Sequence, residues 1–403
     1  MPTFNAKQVW LGTAMLLVLQ LFFQHIPFIS LNIILLAVAS IWVAFSPQRQ
    51  WTVSPIKLAL VALFLLNLSG LASQEGKFEM EKKLSLLLFP LLFSVCTLSQ
   101  GELQKIYKIF FISCLVGLMF IYGRLGYHFL KTHELLAYHE MLEGTGLHPS
   151  YCILYMLTAF FSYAMLLLTR EQRMKHDLLL VVGLLLAFLP FLALAAAKLQ
   201  IINFLVCLLV FFIFLRKQIN IWVPVGVLGV TVVAMLAAYS LSPQVQDRMR
   251  DISQASQEIA PNDTNQTSTS ARKYMWQSAL KVVQKNPILG VGTGNEAAAL
   301  MVEYAAIDFQ FGMHHNTDAH NQFMATTISH GVIGLLLLVF VFVYPLTKRR
   351  FTSQPLFWFF YLPVLLTAMV ESIFGVQKGI VFFCLFLMIF DVFGQGTKKT
   401  DAP

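Results

Sequence analysis

What most constrains this chain is a recurrence of long apolar runs. There are about twelve, each near the roughly 20 residues a helix needs to cross a hydrocarbon core about 30 Å thick. They lie at residues 9–23, 29–45, 58–72, 84–98, 106–126, 150–169, 178–197, 199–215, 219–241, 323–346, 356–372 and 379–393. Lipid offers no hydrogen-bond partner to a bare backbone, so such runs are expected to be helices. Composition agrees. Of 403 residues 57% are hydrophobic and only 12% charged, 36 are phenylalanine, and the mean hydropathy is +0.70. A chain folding in water could not bury that much apolar surface, which excludes the two or three soluble domains its length would otherwise suggest. The first run follows a weakly basic start, lacks a small-residue cleavage site and leads into another run, so it reads as a retained helix.

The expected fold is therefore all-α and polytopic, with about 12 transmembrane helices. Residues 1–241 form an N-terminal transmembrane bundle of nine helices, 242–320 a long, partly helical loop outside the membrane, and 321–403 the last three transmembrane helices. Five cysteines (Cys96, Cys114, Cys152, Cys207 and Cys384) sit in apolar stretches without metal-type spacing, and no disulfide is expected.

The net charge of +8, from 28 basic and 20 acidic residues, becomes informative once divided between two faces. With the N-terminus in the cytoplasm, Lys7, Arg49, Lys57, Lys105, Lys108, Arg170, Arg173, Lys175, Arg216, Lys217, Lys348, Arg349, Arg350, Lys398 and Lys399 all fall inside. Both termini are then cytoplasmic. The cations this leaves outside are Lys77, Lys82, Lys83, Arg124, Lys131, Lys198, Arg248, Arg250, Arg272, Lys273, Lys281, Lys285 and Lys378. Long translocated loops tolerate positive charge, and a solvated surface is the simplest reading for most of them. Lys198 differs, because it interrupts the apolar stretch 178–215 with no Gly, Asn or Pro beside it to make a turn. Two explanations stand level: a lysine snorkelling to the headgroups, or a cation facing a cavity that holds an anion such as phosphate.

Just before the tenth run lies Met313-His-His-Asn-Thr-Asp-Ala-His-Asn-Gln-Phe323. Neutral imidazole titrates near ambient pH and can accept a hydroxyl proton, so His320 is a candidate general base. Asp318 is its candidate orienting partner, and Asn321 follows it. A metal set of His314, His315, Asp318 and His320 matches no recognised spacing, and no metal is expected. His314, His315, His128, His133 and His139 read as solvated loop histidines. The stretch Leu289-Gly-Val-Gly-Thr-Gly-Asn295 fails both the dinucleotide and the phosphate-loop patterns and reads as a turn after a helix stop. No nucleic-acid partner is expected.

The order of these features resembles the O-antigen ligase family, which includes O-antigen polymerase-like proteins and protein O-oligosaccharyltransferases. The similarity is strongest from Arg272 to about Leu338. It runs through Ala271-Arg-Lys-Tyr-Met-Trp276, Asn286-Pro-Ile-Leu-Gly-Val-Gly-Thr-Gly294, Ala319-His-Asn-Gln-Phe323 and His330-Gly-Val-Ile-Gly-Leu335. Glu81-Lys-Lys-Leu-Ser-Leu86 and His148-Pro-Ser-Tyr151 are similar to pieces of a more divergent branch. The resemblance implies a glycosyltransferase in the bacterial cytoplasmic (inner) membrane, with its site facing the periplasm. It would take a glycan from an undecaprenyl-pyrophosphate-linked donor and pass it to a hydroxyl of lipid A-core, a growing glycan or a protein. Membrane lipid is its setting, and neither a cofactor nor a metal is implied.

Carried over by position, Arg272 matches the family arginine that opens the outer-loop helix, and His320 the histidine before the next span. Lys198 falls where many members have arginine, a change that keeps charge and loses bidentate geometry. The implied roles are His320 as base, with Arg272 and Lys198 stabilising the departing pyrophosphate. Arg248 and Arg124 are weaker candidates for the same anion, and His148, Tyr151, Asp318 and Asn321 are possible supports. A single displacement inverts the anomeric centre. A lipid-linked glycan transporter or flippase is the alternative class, expected to carry its charges on interrupted helices near the midplane.

Overall fold

A computed structural model describes residues 5–23, 26–170, 174, 176–254, 259–263, 266–267, 269–393 and 395. The expected cytoplasmic residues Arg173, Lys175, Lys398 and Lys399 lie outside the described residues. The chain runs through α1 (Ala6–Gln20), α2 (Ile26–Phe45), α3 (Pro55–Leu66), α4 (Gln74–Lys82), α5 (Ser85–Leu92), α6 (Gln100–Thr132), α7 (Pro149–Leu168), α8 (Asp177–Ala195), α9 (Lys198–Leu215) and α10 (Trp222–Leu241). The loop carries α11 (Pro243–Gln254), α12 (Ala271–Lys285), α13 (Glu296–Ala306) and α14 (Gln310–His315). Then come α15 (Gln322–Leu346), α16 (Arg349–Thr352), α17 (Pro355–Ala368) and α18 (Gln377–Val392). Extended pairing among the described residues is limited to the isolated bridge Leu98–Phe393.

Eight helices, among the described residues, are long and apolar enough to cross a membrane: α2, α3 with its 3-10 extension to Ala72, α6 to α10 and α15. The protein is an all-α, multi-pass membrane protein. The other four apolar runs hold shorter helices: α1 has 15 residues, α5 has 8, α17 has 14 and α18 has 16. Centre and rim separate by burial. In α7, 89% of the most apolar window is buried, against 22% in α10, which turns most of its surface outward. Rings of Phe382, Phe386 and Phe390 on α18 meet Tyr107, Phe110, Phe357 and Phe360, with Phe110 and Phe386 centroids 4.9 Å apart. These aromatic contacts fill the centre of the bundle.

The run 84–98 departs from expectation. It is helical only over Ser85–Leu92, with Pro90 inside the helix; proline removes a donor and crowds the preceding turn. From the helix's last residue onward the backbone is irregular yet satisfied. The Leu92 carbonyl accepts from Trp10 Nε1 at 3.2 Å, that of Ser94 from the Thr52 amide at 2.7 Å, and that of Val95 from the Gln50 amide at 2.9 Å. Irregular backbone in an apolar setting persists where protein supplies such partners.

Ion pairs mark one end of the bundle. Lys7 meets Glu102 at 3.0 Å, Arg170 meets Asp177 at 2.6 Å, and Asp391 accepts Arg350 at 2.5 Å with Lys57 3.6 Å away. All these cations belong to the expected cytoplasmic set. Lys198, Arg272 and His320 lie at the opposite helix ends.

Candidate active site

Helix α12 carries Arg272 in its first turn and buries Ala271, Met275, Ser278, Ala279 and Val282. That stripe repeats every three or four residues and seats the helix, as an amphipathic pattern requires. Trp276, one turn beyond Arg272, donates from Nε1 to the Ala319 carbonyl at 3.0 Å. Arg272 and Trp276 thus share one helix face, and Trp276 grips the residue before His320.

His320 has the left-handed φ of 42°, an uncommon conformation for a residue bearing a Cβ. Several bonds fix it. Asp318 Oδ1 accepts the His320 amide at 2.9 Å. Asn321 caps α15, accepting from Phe323 and Met324 amides at 2.9 and 3.1 Å, and donates to the Met369 carbonyl at 2.8 Å. Gln322 accepts from the Phe374 amide at 2.6 Å. Asp318 and Asn321, named from the sequence as supports, therefore act on the backbone around His320.

The imidazole itself is held by Glu371, which sequence reasoning missed. Glu371 Oε2 lies 3.0 Å from His320 Nδ1, and its Oε1 accepts from Arg272 Nη2 at 3.3 Å. The same Nη2 donates to the Val370 carbonyl at 3.2 Å. A carboxylate only accepts, so Nδ1 carries the hydrogen and Nε2, 3.6 Å from Asp318 Oδ1, is left as the accepting nitrogen. Burial disfavours the imidazolium, but the Glu371 hydrogen bond and the charges of Asp318 and Glu371 outweigh it, and His320 titrates above 6.5. Burial likewise opposes the Glu371 charge, yet His320 and Arg272 hold its carboxyl below the usual range. The available signal was a carboxylate ending an apolar run, a combination that is costly unless partnered.

Lys198 opens α9 after a two-residue link in which Ala196 takes φ 44°. The turn forms without the glycine that such a φ favours. Its ammonium donates to Thr269 Oγ1 at 2.9 Å and lies 3.8 Å from Asp251, which also pairs with Arg248 at 3.8 Å. Arg248 stacks 3.5 Å above the Tyr138 ring. The charge of Arg272 acts on Lys198, and Asp251 joins Lys198 to Arg248. Arg124 is bound to Glu143 at 2.9 Å and to the Glu140 carbonyl at 3.1 Å.

A cavity of about 750 Å³ opens beside this cluster. His148, Tyr151, Asp318, His320 and Glu371 line one wall, and Asn67, Lys82, Lys83, Glu296 and His330 another. His148 caps α7 through Nδ1, which accepts the Ser150 amide at 3.2 Å. Burial and the neighbouring His139 push its pKa down to about 4. Among the described residues, Arg272 Nε and the Ser372 hydroxyl are buried with no hydrogen-bond partner. Arg272, Lys198, Arg248 and Arg124 do not line the cavity; Arg272 reaches its wall through Glu371.

The glycine-rich stretch proves to be a packing device, as its failed nucleotide patterns suggested. Helix α15 breaks at Gly331, with φ 58° and ψ −156°. The carbonyls of Ile328 and Ser329 turn to the amides of Val291 and Gly292, at 2.8 and 2.9 Å, and Val332 donates to the Pro287 carbonyl at 2.9 Å. Two family motifs, distant in sequence, are thus partners in one backbone exchange.

The O-antigen ligase family model matches residues 181–339. That stretch holds Lys198, Arg248, Arg272, Asp318, His320 and Asn321, while Arg124, His148, Tyr151 and Glu371 lie outside it. The family resemblance read from the motifs therefore holds. No curated protein matches the chain.

Proposed function

We propose that this chain, which carries the O-antigen ligase domain over residues 181–339, moves a glycan from undecaprenyl pyrophosphate to an acceptor hydroxyl, with lipid A-core the leading acceptor. The family match supports a glycan-transferring membrane enzyme of the ligase and polymerase type. The donor, the acceptor, the inner membrane and the periplasmic site are the finer reading. The three-part division at residues 241/242 and 320/321 belongs to it too.

One observation carries the proposal. His320 faces a cavity at the place where Glu371 also holds Arg272. In the reaction the acceptor oxygen attacks the anomeric carbon, and the bond from that carbon to the pyrophosphate oxygen breaks. His320 Nε2 takes the hydroxyl proton. Negative charge grows on the departing pyrophosphate, where Arg272 and Lys198 supply fixed positive charge and Arg248 extends the same region. One displacement inverts the anomeric centre, and no step requires a metal.

The test is complementation in strains lacking O-antigen ligase, polymerase or protein O-oligosaccharyltransferase, followed by identifying the molecule that gains glycan. Gain on lipid A-core is expected. Gain on a growing glycan or a protein would move the acceptor assignment within the family, and gain in none would overturn the enzyme reading. The break in α15 at Gly331 favours a second class, a lipid-linked glycan transporter. Movement of labelled donor across a vesicle membrane without any transfer would support that class instead.

A further inference from the structure

We propose that Glu371 is the positioning residue for His320, and that by sharing its carboxylate with Arg272 it couples the base to an anion bound at Arg272. This rests on the transferase reading above and adds a residue that lies beyond the matched stretch, in Ala368-Met-Val-Glu-Ser372.

Geometry makes the case. One carboxylate divides its two oxygens between His320 Nδ1 at 3.0 Å and Arg272 Nη2 at 3.3 Å. It is delivered where α17 unwinds, since the Glu371 amide still donates to the Thr367 carbonyl at 2.8 Å. The neighbouring carbonyls of Met369 and Val370 are taken by Asn321 and Arg272. The arrangement therefore joins three elements: the head of α12, the head of α15 and the tail of α17. Among the described residues, the charged groups that act on His320 are Glu371 from the α17 side, Asp318 from its own loop, Arg272 from α12 and His148 from the head of α7, while Glu75, Glu79, Lys82, Lys83, Glu296, His315 and His330 line the same cavity.

Glu371 fixes the imidazole hydrogen on Nδ1 and leaves Nε2 to accept a proton, the orienting function a carboxylate serves beside a catalytic histidine. While Arg272 also holds Glu371, part of the carboxylate's charge is offset. A phosphoryl anion competes for the same guanidinium, because charge-assisted bonds from arginine to phosphate are strong. As Arg272 turns to the anion, Glu371 acts on His320 alone, and the imidazole becomes more basic. The base is thereby strengthened when the leaving group is in place.

The experiment reads His320 directly and needs no turnover. Carbethoxylation of His320 by diethyl pyrocarbonate, followed by mass spectrometry across a pH series, yields its titration midpoint in the full-length protein. We expect Glu371→Gln to lower the midpoint and Glu371→Asp to restore part of it. Inorganic pyrophosphate should raise the midpoint in the wild type and leave it unmoved in Glu371→Gln. An unchanged midpoint in Glu371→Gln overturns the positioning role, and an equal pyrophosphate shift in both proteins overturns the coupling. In transfer assays Glu371→Gln should lose activity by on the order of 10² and shift the pH profile downward. A wild type that transfers nothing yet shows these midpoints would sink the transferase reading and leave the Glu371 assignment standing.

Discussion

Gly290 and Gly331 meet where the loop crosses the broken helix α15, both with positive φ, at 67° and 58°. A Cβ on Gly290 would strike the backbone of Ile328 to His330, and one on Gly331 the backbone of Ile288 and Leu289. Neither position has room for a side chain, and neither backbone suits one. Alanine at either should destabilise by on the order of 2–4 kcal/mol, from left-handed strain plus overpacking. Thermal unfolding in detergent measures this; an unchanged Tm for both variants would contradict the packing account.

The pH dependence of transfer follows from His320. Its pKa is raised above 6.5, and only the neutral form can accept a proton. The rate should therefore climb as pH rises through that elevated pKa. For stability the sign is opposite: the contribution of the His320 and Glu371 pair is complete between 4.5 and 6.5, and it is lost as pH rises through the raised value of His320 or falls through the lowered value of Glu371. A rate that falls with rising pH across this window would count against His320 as the base.

His148 behaves in the reverse sense. Its pKa is lowered from 6.5 to about 4, chiefly by burial and then by His139, and its cap needs an unprotonated Nδ1. Its contribution is present above 6.5 and is lost as pH falls toward about 4. His148→Asn keeps a capping acceptor that does not titrate. The Tm difference between wild type and variant should be constant above pH 6.5 and should shift in the variant's favour below it; a difference that is flat throughout would refute the assignment.

At the opposite end, Asp391 is fully buried, accepting from Ser54 at 2.7 Å and pairing with Arg350 and the buried Lys57. Asp391→Ala strands the Lys57 charge and should cost about 3–5 kcal/mol. The double variant Lys57→Met, Asp391→Leu should recover most of that loss. A single variant as stable as wild type would show that the pair contributes nothing.

Much of the fold was legible because lipid imposes so few solutions. Each of the twelve runs holds a helix, and the paired cations Lys7, Lys57, Arg170 and Arg350 gather at one end of the bundle. The run 84–98 was misread because its apolar residues bury against protein as well as lipid, and hydropathy does not separate the two. In the site, Arg272 and His320 were legible from motif order, and their meeting was not. Glu371 lies about fifty residues from His320, and it is brought there by the packing of α12, α15 and α17, contacts of long range that periodicity does not encode. Lys198 showed itself as a charge in an apolar stretch, but its turn at Ala196 ran against local propensity and left no local signal.

Transfer in reconstituted vesicles tests the central claim most directly. Purified protein would be supplied with a labelled undecaprenyl-pyrophosphate glycan and lipid A-core acceptor, in excess EDTA. Wild type should transfer label, while His320→Ala and Arg272→Ala, inserted at equal levels, should each lose transfer by on the order of 10² or more. Wild-type rates in either variant would contradict the site, and loss of wild-type activity in EDTA would contradict the metal-independent mechanism.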